Sequence, residues 1–184
     1  ANTNVVESTA VVDPALTHST LTIAEATTYT ASSISYAFEL NAVLKSGDTI
    51  DLVLPTFTLV SGSLPSASGA LTKDGCGTTT FTVAGAPSVQ VSATATATLQ
   101  LTSGTANMDE NTRCTVVIDT GVTTSAVTTN QGANEATRTV AVSLAEAKSI
   151  AATTIAVSTA IALPTTPAFE QSALVIVNPV TDGP

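Results

Sequence analysis

The side chains that could carry out acid–base or nucleophilic chemistry are few. His18 is the single histidine of the chain, in the segment LTHST. A serine-hydrolase mechanism would be built around that imidazole, but no Gly-x-Ser-x-Gly elbow is present. No phosphate-binding glycine loop or dinucleotide fingerprint occurs either. Paired carboxylates of the glycosidase kind stay open, although aromatic residues, which form sugar platforms, make up only 3% of the chain. We therefore expect no enzymatic activity.

Calcium binding is the second kind of chemistry to weigh, because several carboxylates fall in loops or at strand ends, where oxygen ligands converge. The spacing matches neither an EF-hand nor a calcium-binding nonapeptide repeat, and solvated loop carboxylates are the alternative. We keep calcium as a candidate ligand and expect no other metal or cofactor. The carboxylates considered are Asp48, Asp51, Asp74, Asp109, Glu110 and Asp119, and the calcium candidates among them are Asp48, Asp74, Asp109 and Glu110.

The chain has two cysteines, Cys76 and Cys114. In an oxidising compartment they predict one disulfide that closes a loop of about 38 residues, which stabilises a fold by roughly 3–4 kcal/mol on the chain-entropy model. Two free buried thiols are the alternative. A metal site is disfavoured because no further cysteine or histidine lies at ligand spacing.

The composition excludes several classes of partner. Charged residues are 10% of the 184 residues and the net charge is −9, with only five lysines and arginines. A nucleic-acid site or an anionic membrane surface needs a cationic patch, so neither partner is expected. No run of about 18 apolar residues occurs, so we expect no membrane insertion. The chain opens ANTNVVES without methionine, which we interpret as a removed signal peptide or a trimmed start, and hence as a secreted, cell-surface protein.

Threonine, valine and alternating patterns indicate strands throughout. Threonine accounts for 36 residues, and β-branched side chains fit a pleated sheet. Strand patterns recur every 8–15 residues with turn signals between them, and the one helical signal is a single turn at Ala145–Lys148. We expect about 8–10 strands in an antiparallel β-sandwich, Ig-like or jelly-roll-like, rather than a closed barrel. The clearest patterns lie at 34–40, 49–54, 78–83, 89–101, 115–119, 137–144 and 155–163.

Both ends of the chain differ from the middle. Residues 1–23 are either an N-terminal arm or a first strand, residues 24–163 form the sandwich core, and residues 164–184 hold a Pro-bounded C-terminal strand and tail. An apolar terminal segment can add a strand to a neighbouring subunit's sheet. The low charge also leaves strand edges poorly protected. The residues assigned to assembly are Val5, Val6, Val11, Val12, Leu174, Val175, Ile176 and Val177.

Residues 26–57 carry a more specific pattern. A Thr-rich turn is followed by an alternating strand at 34–40, then by Ser46-Gly47-Asp48-Thr49-Ile50 and an apolar strand that ends at Pro55. This segment resembles the opening of Ig-like repeats in secreted cell-surface proteins of microbes and algae. The resemblance implies an extracellular β-sandwich with a scaffolding or adhesive role, and it implies no catalytic residues.

These observations predict a structural subunit of an extracellular filament, sheath or surface layer. Its partner would be itself, through β-strand addition between subunits. The alternative is a monomeric adhesive or ligand-binding Ig-like module of a cell surface.

Overall fold

Strict alternation of buried and half-buried residues marks the strands of this protein. In the computed structural model, Ala31–Leu40 buries every second side chain, and Thr49–Pro55 does the same. A pleated strand places successive side chains on opposite faces, so one face joins the core and the other meets water. The structure describes residues 12–24, 31–55, 57–59, 63–65, 71–86, 96–124 and 138–157.

The described residues form eleven strands and no helix. Two sheets pack against each other, and the antiparallel β-sandwich predicted from the alternation is confirmed. In chain order the strands are β1 (Leu16–Ile23), β2 (Ala31–Leu40), β3 (Thr49–Pro55), β4 (Thr58–Leu59), β5 (Thr72–Asp74), β6 (Phe81–Ala86), β7 (Thr96–Ser103), β8 (Cys114–Thr123), β9 (Thr139–Ser143), β10 (Ile150–Thr154) and β11 (Ala156–Val157).

The first sheet has the order β11-β1-β2-β8-β4, with β5 also paired to β8. All its pairs are antiparallel except β11 with β1, which run parallel and match Thr20 with Ala156. The second sheet has the order β10-β9-β3-β7-β6 and is antiparallel throughout. Chain neighbours therefore sit in different sheets at several points, as in a sandwich rather than a simple meander.

Aromatic rings from both sheets meet in the core. Tyr36 and Phe38 stack with centroids 5.5 Å apart, and Phe81 of the second sheet meets Phe38 edge-on at 6.1 Å. Leucine, isoleucine and valine side chains fill the space around them. The one buried cation among the described residues, Arg138, lies over the Phe57 ring at 5.5 Å. Face contact with an aromatic ring suits a guanidinium removed from water.

The chain crosses between the sheets at both sides. On one side Ile155, which is buried, joins β10 of the second sheet directly to β11 of the first. On the other side residues 75–80 lead from β5 to β6, where Leu64 also packs against β6. These crossings place the β10 and β11 edges together, and the β6 edge at the opposite side beside β4 and β5.

Charge is concentrated at one end of the sandwich. We call the end that holds the start of β1, the end of β2 and the loops 41–48, 104–113 and 144–149 the charged end. Most ionisable residues of the described chain lie there or nearby. The other end, where β1 finishes and β2 begins, is the uncharged end; its described charged side chains are Asp119 and the buried Arg138.

The structure departs from the sequence prediction in several places, among them the strand predicted at 78–83, which runs from Phe81 to Ala86. Residues 145–147 form bends, not the helical turn expected at Ala145–Lys148. Strand β8 continues past Asp119 to Thr123, because Gly121, with a φ of 79°, lets the strand pass Leu64 closely. Strand β10 has no counterpart among the predicted strands, because four of its five residues are exposed and the segment shows no alternation.

Candidate assembly surface

The single imidazole is engaged by a neighbour. His18 on β1 lies opposite Glu39 on β2, and Arg113 comes within 2.6 Å of its Nε2 atom. A guanidinium can only donate, so this contact occupies the lone pair of Nε2 that a general base would use. No nucleophile is paired with His18 in the described contacts.

The four calcium candidates do not converge. Asp48 is buried, and its two carboxylate oxygens accept hydrogen bonds from the backbone N–H groups of Lys45 and Ala145, each at 2.7 Å. The side chains of Asp74, Asp109 and Glu110 are exposed. Within the described residues no group of three or more histidine, cysteine or carboxylate side chains could hold a metal ion. The calcium prediction stays untested, and Asp48 connects two backbone segments through its hydrogen bonds.

The predicted disulfide is confirmed. Cys76 and Cys114 are bonded, with Cα atoms 4.4 Å apart, and both are buried. Cys114 opens β8, and Cys76 lies in the connection from β5 to β6. The bond therefore ties the first sheet to the crossing that leads into the second sheet, next to the edge formed by β6.

The predicted assembly residues lie almost entirely outside the described chain. Val5, Val6 and Val11 precede it, and Leu174–Val177 follow it. Val12 is the exception, and 74% of it is exposed at the charged end. The root of this segment is held firmly: Ala15 donates to the Asn41 side chain at 2.6 Å, and Lys148 pairs with Asp13 at 2.8 Å.

The grooves of the described surface lack convergent chemistry. One of about 440 Å³ opens at the uncharged end, where β2 and β8 meet; small side chains such as Ala31 and Ser32 line it, and Asp119 is its one charge. A ligand site normally combines apolar walls with several converging polar groups. The sheet edges are the more informative feature of this surface.

The edges of the first sheet are guarded. On one side β1 has a register break between Leu16 and His18, behind the two described residues of β11. On the other side β5 has three residues, with the charged Lys73 and Asp74 among them, beside the two described residues of β4. Short strands, charges and irregularities are the devices by which proteins prevent edge pairing.

The second sheet has one guarded edge and one open edge. Strand β10 shifts register between Ile150 and Thr153, which interrupts its outer hydrogen-bonding groups. Strand β6 pairs with β7 in an unbroken register over all six of its residues, FTVAGA. It contains no charged residue and no proline, and no described strand lies beyond it. Among the described edges it alone lacks a guard.

The ladder fixes which groups of β6 point outward. Gly104 donates to the carbonyl of Thr80, the residue just before β6. Hydrogen-bonded pairs alternate along an antiparallel ladder, so Thr82 and Ala84 also bond to β7. Phe81, Val83 and Gly85 then direct their N–H and C=O groups away from the sheet, toward any added strand.

Small side chains surround this edge. A shallow groove of about 300 Å³ is lined by Ala84, Gly85, Thr98 and Gln100. On the inner side of β6, a Cβ atom on Gly85 would lie 2.8 Å from the Leu64 side chain, so a larger residue here would require that side chain to move. Among the described residues the lining of this groove is therefore small and uncharged, and the nearest described cation is Lys73, which donates to the Thr79 carbonyl before β6 begins.

Sequence reasoning anticipated unguarded edges but could not say which strand would have one. The signal was present in the sequence, because residues 75–106 contain no charged side chain. Comparison with protein-family models, curated proteins and solved structures finds no match. The described residues contain no helix that could cross a membrane.

Proposed function

We propose that this protein is a structural subunit of an extracellular filament, sheath or surface layer, whose copies associate by adding a strand of one to a sheet of another. The observation that carries the proposal is the outer edge of β6, which is uncharged, unbroken and uncovered by a described strand. An edge of this kind favours pairing with another chain. In a subunit that must associate, such an edge is useful rather than hazardous.

The electrostatics of the chain support the same role. With charged residues at 10% of the sequence, subunits can approach without desolvating many ions, which is the costly part of burying a charged surface. The outer faces of the sheets are polar but mostly uncharged: Thr49, Thr82, Thr102 and Ser143 form one row across four strands of the second sheet. Hydroxyl groups keep such a face soluble without charge.

The proposed location rests on the disulfide. Cys76 and Cys114 are bonded, and disulfides persist mainly in oxidising compartments outside the cytosol. We infer that the protein acts outside the cell or at its surface.

The test is removal of residues 1–11, which leaves Asp13, Ala15 and their bonds to Lys148 and Asn41 in place. We expect the full chain to form polymers visible by negative-stain microscopy, and the shortened chain to elute as a folded monomer with an unchanged β-type circular dichroism spectrum. The matched control replaces Ser8 and Thr9 by alanine, which keeps the length and the valines, and should polymerise.

A full chain that remains monomeric over a wide range of concentration would refute the proposal. That result would favour the alternative, a monomeric adhesive or ligand-binding module. Polymers that survive removal of residues 1–11 would refute donation by this segment.

A further inference from the structure

We propose that residues 1–11 of one copy pair with the outer edge of β6 in a second copy, and that this contact propagates without closing. The inference rests on the proposed function and adds to it the acceptor strand, the donor segment and the geometry of growth.

The acceptor follows from comparison of the edges. The first sheet has a register break in β1 on one side and the charged strand β5 on the other, and β10 of the second sheet has a register break. Among the described edges only β6 offers six consecutive residues in unbroken register. An added strand can therefore hydrogen-bond to the outward groups of Phe81, Val83 and Gly85 in succession, and each of these residues supplies one donor and one acceptor.

The donor has the required length and composition. Residues 1–11 contain three valines, and Glu7 is their only charged side chain. Eleven extended residues span up to about 36 Å, whereas β6 covers about 20 Å. The segment can thus leave its own sandwich and still pair along the whole of β6.

The root of this segment and strand β6 lie on opposite sides of one subunit. The root of the segment, Val12–Ala15, precedes β1, at the side where β10 and β11 lie. Strand β6 lies at the opposite side, four strand spacings across the second sheet from β10, which is about 19 Å.

Donor and acceptor are consequently different surfaces on opposite sides of one subunit. Each subunit that donates a segment still presents a free β6, and each that accepts one still has a free segment. A heterologous contact of this type produces an open chain unless the rotation happens to close a ring. The geometry therefore accounts for a filament or layer rather than a two-fold dimer.

Disulfide trapping tests this pairing, because the chain's two native cysteines are already bonded to each other. Ala84 on β6 is exposed, so Ala84→Cys should leave the fold intact, as circular dichroism would verify. It is combined in turn with Val5→Cys and Val6→Cys, and the polymers are oxidised and run on non-reducing gels. Because successive residues of a paired strand face opposite sides, we expect a ladder of cross-linked multimers from one of the two combinations and at least fivefold less from the other.

Two control combinations decide between alternatives. Ala151→Cys places the thiol on the exposed β10 edge instead, and Leu174→Cys replaces the donor by the C-terminal segment. This inference would be overturned if the expected ladder were absent and one formed from Ala151→Cys with the N-terminal thiols. It would also be overturned if a ladder formed instead from Leu174→Cys with Ala84→Cys. In both cases polymerisation itself would remain. Equal ladders from Val5→Cys and Val6→Cys would also overturn it, because they would indicate proximity without strand pairing. A chain that forms no polymer at all would instead refute the proposed function.

Discussion

Asp48 links two loops at the charged end, and its replacement should reveal how much of the stability depends on that link. The carboxylate is 3% exposed. Its Oδ2 atom accepts from the backbone of Lys45 and its Oδ1 atom accepts from the backbone of Ala145, which lies 97 residues away. One side chain thereby joins the turn before β3 to the segment after β9.

The magnitude follows from these two bonds. Hydrogen bonds to a charged group contribute about 1.5–3 kcal/mol each, so Asp48→Ala should lower the free energy of unfolding by about 3–6 kcal/mol. Asp48→Asn retains one acceptor oxygen but turns an NH₂ group toward the second backbone N–H. Asp48→Asn should therefore lower the free energy of unfolding by at least about half as much as Asp48→Ala does. Since domains are stable by only about 5–15 kcal/mol, either loss is easily measured.

The assay is urea unfolding followed by far-ultraviolet circular dichroism, at a concentration where gel filtration shows monomer. The midpoint should fall with little change in the slope. Asp109→Ala is the matched control, because that carboxylate is exposed in a nearby loop at the same end. It should change stability by no more than about 0.5 kcal/mol.

Two outcomes would refute this account of Asp48. If Asp48→Ala costs less than about 1 kcal/mol, the two hydrogen bonds do not hold the loops as the geometry indicates. If a chelator lowers the stability of the unaltered chain as much as Asp48→Ala does, the carboxylate holds a cation, and its contacts with Lys45 and Ala145 are secondary.

Two further predictions concern the disulfide and the buried phenol. Replacing Cys76 and Cys114 by alanine reopens a loop with a sequence separation of 38 and should cost about 4 kcal/mol, measured by the same urea titration; a cost under about 1 kcal/mol would contradict the chain-entropy argument. Burial raises the pKa of the Tyr36 phenol above its ordinary value, and the hydrogen bond with Ser19 offsets part of that rise. The buried neutral phenol contributes its full stability below about pH 10, the pKa of tyrosine in the unfolded chain. Above that pH the free energy of unfolding falls by about 1.4 kcal/mol per pH unit. Tyr36→Phe should remove that part of the alkaline slope, and an identical slope in both proteins would show that Tyr36 ionises without unfolding.

The sequence predicted those strands whose two faces differ most. Strands β2 and β3 could be located because one face is aliphatic or aromatic and the other is polar. Arg138 is buried on the same face as Val140 and Val142, although a charged side chain disfavours burial. The ring of Phe57 beneath the guanidinium resolves this conflict, and that contact joins residues 81 positions apart, which no local pattern specifies.

The candidate assembly surface was less accessible to sequence reasoning. Whether a strand lies at an edge depends on its pairing, and β6 becomes an edge because β7 pairs on its other side with β3. These partners are far apart in sequence, so the low charge of FTVAGA could indicate an unprotected strand but not its position. The disulfide was easier, because two cysteines allow only one pairing within a chain.

The parallel pairing of β1 with β11 has a mechanical consequence. The described chain enters at Val12 at the charged end, and at Val157 it points toward the uncharged end. Tension applied between these two points pulls β1 lengthwise against its neighbours. The hydrogen bonds of a ladder lie across the strands, so the load falls on all of them at once instead of opening them one after another. The register of β1 with β2 extends from Leu16 to Ile23, and a sandwich loaded in this shear direction resists extension far better than one peeled from an end.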